Sequence, residues 1–93
     1  MINETKIDTQ IAELGRLADK VVNLYEMSLK MQKAGSNNDL YAGVNVMLLQ
    51  ATSKYQEHWK KLNVFSMSEN DREKIKHITQ RTDNKIRDMK RIG

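Results

Sequence analysis

The sequence contains no proline, no cysteine and only four glycines among its 93 residues. Because proline is absent and glycine is rare, few residues in the sequence would break or weaken a helix. The absence of cysteine excludes disulfides and thiol chemistry, which fits a reducing compartment. No apolar run approaches the roughly 20 residues that a membrane-spanning helix needs, and the first ten residues lack the apolar core of a secretory signal. We therefore expect a cytoplasmic protein, although export without a cleaved signal stays open.

The composition favours one small folded domain over residues 1–93. Apolar residues make up 39% of the chain and charged residues 30%. This is too apolar for a disordered chain but leaner than an average globular domain. We therefore expect helices with narrow apolar stripes, some of which are completed by a partner or by a second copy of the chain.

Helical periodicity predicts two long helices, at about residues 3–34 and 40–62. Apolar side chains recur in both at alternating steps of four and three, which places them on one helical face. Between the helices, Gly35 suits a left-handed residue that ends the first one. This short polar connection predicts an antiparallel hairpin. The two stripes are Ile7, Ile11, Leu14, Ala18, Val21 and Tyr25, and then Val44, Leu48, Ala51, Tyr55, His58 and Leu62.

One stretch of the second helix, Val44 to Leu49, is apolar nearly all round. A helix that is apolar on every side is usually buried on every side. We therefore expect this stretch at the most buried point of the protein.

A third helix is predicted at about residues 68–91. Ser66 and Glu69 have the spacing of a capping box at its start. The predicted fold class is all-α: an antiparallel helical hairpin plus a third, charged amphipathic helix, forming a three-helix bundle or a helical oligomer. The third helix has a thin apolar stripe, which we interpret as a partner-binding surface: Ile75, Ile78, Thr82, Ile86, Met89 and Ile92.

Most of the net charge of +4 also lies in this last part of the chain. Residues 66–93 carry eight basic and five acidic side chains. The alternative interpretation is a basic helix that contacts an acidic partner or the phosphates of nucleic acid. Interleaved acids such as Asp83 and Asp88, and the lack of any aromatic residue after Phe65, favour the protein-binding interpretation. The candidate basic contacts are Arg81, Lys85, Arg87, Lys90 and Arg91.

No pattern of catalytic or ligand residues is recognisable. The two histidines, His58 and His77, lie on different predicted helices, and the acidic cluster at Glu69, Asp71 and Glu73 is explained by favourable charge at a helix start. Neither a phosphate-binding glycine loop nor a nucleophile motif is present. We therefore expect no enzyme, no metal, no cofactor and no small-molecule substrate.

In size, charge and architecture the chain resembles the short helical chaperones and filament subunits of bacterial secretion systems, and also small phage inhibitors and adaptors. The resemblance is one of general character and involves no diagnostic motif. It implies a non-enzymatic protein-interaction module that acts as a chaperone, adaptor, inhibitor or assembly subunit, with a protein partner or self-association. The alternative is a small basic regulator that binds nucleic acid through the C-terminal helix.

Overall fold

The computed structural model describes residues 2–35 and 38–92, with side chains over residues 6–35 and 38–91. These residues form three α-helices, with no strand among them: α1 (Ile2–Ala34), α2 (Asn38–Lys61) and α3 (Glu69–Ile92). A single turn of 3-10 helix, Val64–Ser66, lies before α3. The predicted all-α fold class is confirmed. None of the helices in the described part of the chain is long and apolar enough to cross a membrane.

The hairpin of α1 and α2 is fixed by one turn and two polar contacts. Gly35 ends α1 with a positive φ of 65°, the left-handed conformation in which a side chain is strained. Along the hairpin, the Ser28 hydroxyl donates to the Asn45 side-chain oxygen over 2.9 Å. At the other end, His58 Nε2 donates to the Gln10 carbonyl over 2.8 Å. Because each bond joins one specific residue of α1 to one specific residue of α2, the pair favours a single register.

The second connection differs from the sequence prediction at the start of α3. Ser68, and not Ser66, caps the helix, because its hydroxyl accepts from the Asp71 backbone N–H over 3.2 Å. The Ser66 hydroxyl instead donates to the Asn63 carbonyl over 3.0 Å, within the 3-10 turn. The turn adds a tight bend that the spacing rule does not anticipate, so the capping position moves two residues along the chain.

The third helix runs back along α1, parallel to it and antiparallel to α2. Toward the middle of α3, Ile78 lies close to Gly15, and about one turn later Arg81 pairs with Asp19 over 3.4 Å. Two apolar clusters form the core. One contains Ile11, Leu14, Leu62, Met67 and Ile75, and the other contains Val21, Leu24 and Ala51 with Leu48, Tyr55 and Ile86 packed against them.

The three helices do not close into a symmetrical bundle. On α1, the outer flank toward α2 and the outer flank toward α3 lie about 150° apart around the helix axis, with the core residues Ile11, Leu14 and Val21 between them. Both α2 and α3 pack closely on α1 but approach each other far less closely. The longest backbone extent of the protein is 51 Å. Across this axis it is wider in one direction than in the other, at 24 Å against 16 Å. The residues that define the two flanks are Gln10, Leu17 and Ser28 toward α2, and Gly15, Asp19 and Leu29 toward α3.

The most apolar stretch of the chain is exposed, so the prediction that Val44 to Leu49 is the most buried point is wrong. Val46 is 53% exposed and Leu49 is 72% exposed, whereas Ala51 lies in the core. A helix that is apolar all round needs neighbours all round to bury it. In this fold α2 contacts α1 and the edge of α3 on one side only, which leaves its outer face in solvent.

Candidate functional site

A groove runs between α2 and α3 on the side away from α1, and we name it the α2–α3 groove. Its upper part is a recess of about 580 Å³ lined by Tyr55, Gln56, Trp59, Lys60, Thr79 and Asp83. Its lower part adds Leu62, Val64, Phe65, Arg72, Ile75 and Lys76. The two parts share Trp59, Lys60 and Thr79, so they form one continuous channel.

Phe65 stands at the lower end of the groove with 96% of its surface exposed. It lies in the middle of the 3-10 turn, whose backbone is closed by hydrogen bonds from Ser66 to Asn63 and from Met67 to Val64, both of 3.2 Å. On either side of Phe65, Val64 packs against the core and Met67 is buried within it. The turn is therefore anchored at both ends while it holds a large aromatic side chain in solvent. Because this ring stays in solvent, the chain lacks the hydrophobic stabilisation of about 1.5–3 kcal/mol that burying it would contribute.

Two further aromatic side chains extend this apolar surface along α2. Trp59 forms the wall of the groove and is 43% exposed, and Tyr55 is half-buried at its floor. Burial raises the pKa of the Tyr55 hydroxyl above its ordinary value, and the negative charge of Asp83 acts in the same direction. The hydrogen bond with the Thr82 side chain acts in the opposite direction and lowers that pKa. Tyr55 therefore remains a neutral side chain that joins α2 to α3 below the groove.

The lower part of the groove is positively charged. Lys60 on α2 faces Arg72 and Lys76 on α3 across the apolar floor. None of the three forms an ion pair with any other residue in the described ranges 2–35 and 38–92. Asp83, the only acidic residue of the lining, belongs to the upper part. The groove thus combines exposed aromatic rings with three basic side chains that form no ion pair within the described residues.

The apolar stripe of α3 that was predicted to bind a partner is mainly buried inside the fold. Ile75 and Thr82 are 4% and 3% exposed, and Ile78, Ile86 and Met89 are partly buried. Ile75 belongs to the first core cluster, and the Thr82 hydroxyl donates to the Ile78 carbonyl over 2.8 Å. The Ile92 side chain lies outside the described residues. Contact with a partner through this stripe would require α3 to separate from α1.

The predicted basic contacts on α3 do not share a face. All five are exposed: Arg81, Lys85, Arg87, Lys90 and Arg91. At the spacing of an α-helix they span about 220° of its circumference. Arg81 is partly neutralised by Asp19, and Asp88 projects between the others. A DNA or RNA backbone follows one surface, so only some of these charges could reach it together.

No family model, curated protein or solved structure matches this chain.

The groove must therefore be interpreted from its own residues. Within the part of the chain that the structure describes, no group of three histidine, cysteine or carboxylate side chains is placed to hold a metal ion. What the groove offers is an open apolar channel with a basic margin. Such a channel can bind an amphipathic surface of opposite charge.

Sequence reasoning missed Phe65, Lys60, Arg72 and Lys76 as site residues. One signal was available: two of the five aromatic residues, Trp59 and Phe65, lie beside the second connection, off the main apolar stripes. The basic residues carried no such signal, because Lys60 and Lys76 become neighbours only when α2 and α3 pack on the same side of α1.

Proposed function

We propose that this protein is a non-enzymatic interaction module that binds an acidic amphipathic helix of another protein in the α2–α3 groove. The observation that carries the proposal is Phe65, which an anchored turn holds almost fully exposed beside Trp59. Aromatic residues of this kind often contribute most of the binding energy at protein interfaces.

The shape of the groove supports a helical partner. Its walls are two antiparallel helices that both pack on α1, so a helix laid between them would complete a four-helix arrangement. The partner's apolar face would cover Trp59 and Phe65, with anchors at helical spacing. A helix in this position would bury apolar surface that the chain alone leaves in solvent.

The charge of the groove supports an acidic partner. Lys60, Arg72 and Lys76 flank the apolar floor at the Phe65 end without acidic neighbours in the lining. Glutamate or aspartate residues beside the apolar face of a partner helix would meet this charge and set the direction in which the helix lies. A module that captures exposed amphipathic helices suits a chaperone, adaptor or inhibitor role.

The experiment uses the fluorescence of Trp59, the only tryptophan in the chain. Two peptides of about 18 residues, long enough for five helical turns, carry the same leucine face. One has glutamates on its flanks and the other has lysines. We expect the glutamate peptide to shift the Trp59 emission to shorter wavelength and to bind at least tenfold more tightly, a difference of about 1.4 kcal/mol.

Substitutions then test whether the groove is the binding site. Phe65→Ser should weaken binding of the glutamate peptide at least tenfold, because it removes the aromatic anchor at the lower end of the groove. Val46→Ser is the matched control, since it removes an exposed apolar side chain from the outer face of α2, and it should leave the affinity unchanged. Equal affinity for both peptides, or unchanged affinity in Phe65→Ser, contradicts the proposal.

A further inference from the structure

A second surface, separate from the groove, lies on the outer face of α2. Residues 40–53 contain no charged side chain, whereas the overall charged fraction of 30% predicts about four in a stretch of this length. The segment spans nearly four helical turns, or about 21 Å. On its solvent side lie Ala42, Val46, Leu49 and Ser53, all of them exposed.

We propose that this face pairs with the same face of a second copy of the chain, with the two α2 helices antiparallel. We define the α2 face as Ala42, Val46, Leu49 and Ser53. Their spacing of four, three and four residues places them on one side of the helix. The proposal does not depend on the groove, because the α2 face ends at Ser53, about two helical turns before Lys60 and further still from Phe65.

The pattern of the α2 face is the same when it is reversed. A two-fold axis midway between Val46 and Leu49 places each Val46 opposite Leu49 of the other copy. The same axis places Ala42 opposite Ser53, so small residues meet at both ends and allow the helices to approach closely. Such self-complementarity is what an interface between two identical subunits requires.

The absence of charge favours a second copy over an unrelated protein. A partner of different sequence is commonly selected by complementary charge, and this face offers none. Two uncharged copies meet without burying an ionic group, so no desolvation of charge opposes their contact.

The size of the face indicates a weak, reversible dimer. A helix is about 10–12 Å across, so this face alone covers less than the roughly 800 Å² per partner of a standard interface. The dimer should therefore depend on protein concentration, with the mass rising from the monomer's 10.8 kDa toward twice that value.

The test is sedimentation velocity of the full chain over a concentration series. Leu49→Glu should remain at the monomer mass throughout, because it places two carboxylates in the apolar contact. Leu49 is 72% exposed in the monomer, so far-UV circular dichroism and thermal unfolding should be unchanged at low protein concentration, where the wild type is also monomeric. Asn84→Glu is the matched control, since it adds the same charge at an exposed site on α3, and it should dimerise as the wild type does.

A charge exchange tests the antiparallel register. Val46→Lys alone should also be monomeric. Mixed with the Leu49→Glu chain it should form a heterodimer, because the register sets position 46 of one chain opposite position 49 of the other. A wild type that stays monomeric at all concentrations overturns the proposal. So does a dimer that survives Leu49→Glu, or a mixture of the two variants that does not associate.

Discussion

Two single residues show how local conformation sets the stability of the bundle. Gly15 lies in the middle of α1, where a glycine normally weakens a helix, yet its backbone has an ordinary helical conformation. Gly35 is different, because its φ of 65° is one that side chains rarely adopt. The same substitution should therefore have opposite effects at these two positions.

We expect Gly15→Ala to raise the free energy of unfolding by about 1 kcal/mol, the difference in helix propensity. A Cβ at position 15 would lie 3.7 Å from Ile78 Cδ1, an ordinary van der Waals contact that requires no movement of α3. Gly35→Ala should lower stability by about 1 kcal/mol, because alanine is strained at positive φ. Urea unfolding of both variants measures the difference. A loss of stability in Gly15→Ala would mean that α3 needs a closer approach to α1 there.

Tyr55 should make the stability of the protein depend on pH in the alkaline range. Burial raises its pKa above the ordinary value of 10.0, so the folded state favours the neutral hydroxyl. For a group whose pKa is raised on folding, the stabilisation is complete below the unfolded pKa and is lost as pH rises through the folded pKa. The contribution of Tyr55 should therefore be constant near pH 7–9 and fall above about pH 10.

The comparison of wild type with Tyr55→Phe isolates this effect. Near neutral pH the variant should be less stable by about 0.5–1.5 kcal/mol, the worth of one hydrogen bond. Above about pH 10 the difference should shrink, because the phenylalanine cannot ionise. Urea midpoints of the two proteins over this range provide the measurement. A difference that stays constant with pH would show that the Tyr55 hydroxyl titrates alike in the folded and unfolded chains.

At the scale of the element, the position of each helix could be predicted from the sequence. Which neighbour each face of a helix contacts, and which face stays exposed, could not. Alternating steps of three and four, together with Gly35, place the helices within two residues of their positions in the structure. The stripe of α3 was also recognised as an apolar surface. Whether Ile75 meets α1 or a partner depends on contacts between residues more than 60 positions apart, which periodicity does not contain. For the same reason, neither the groove nor the exposure of Val46 could be read from the pattern.

The packing of α3 predicts a large difference between two apolar truncations. Ile75→Ala should lower the free energy of unfolding by about 2–5 kcal/mol, because it leaves a cavity in the first core cluster. Leu49→Ala should change it by about 0.5 kcal/mol or less, because Leu49 is mostly exposed. Thermal unfolding at a low protein concentration, where dimers do not form, separates the two. Similar effects of both substitutions would contradict the arrangement in which α3 packs on α1 and the outer face of α2 is free.

At the scale of the whole molecule, the open arrangement of helices gives one small chain two different binding surfaces. The groove lies between α2 and α3 and is aromatic and basic, whereas the α2 face points outward and is uncharged. Trp59 and Leu49 are ten residues apart on the same helix and project about 80° apart around its axis. A dimer joined through the α2 faces would therefore carry two free grooves.

This separation predicts that peptide binding and self-association are independent. Phe65→Ser should leave the concentration dependence of the sedimenting mass unchanged, and Leu49→Glu should leave the affinity for the glutamate peptide within about twofold of wild type. The double variant should show both losses and no others, because sites without shared contacts have additive effects. Saturation with the peptide should likewise leave the dimerisation constant unaltered, since coupling between two ligands is reciprocal. A dimer that dissociates when the peptide binds would instead mean that the two surfaces overlap, and that the second copy occupies the groove.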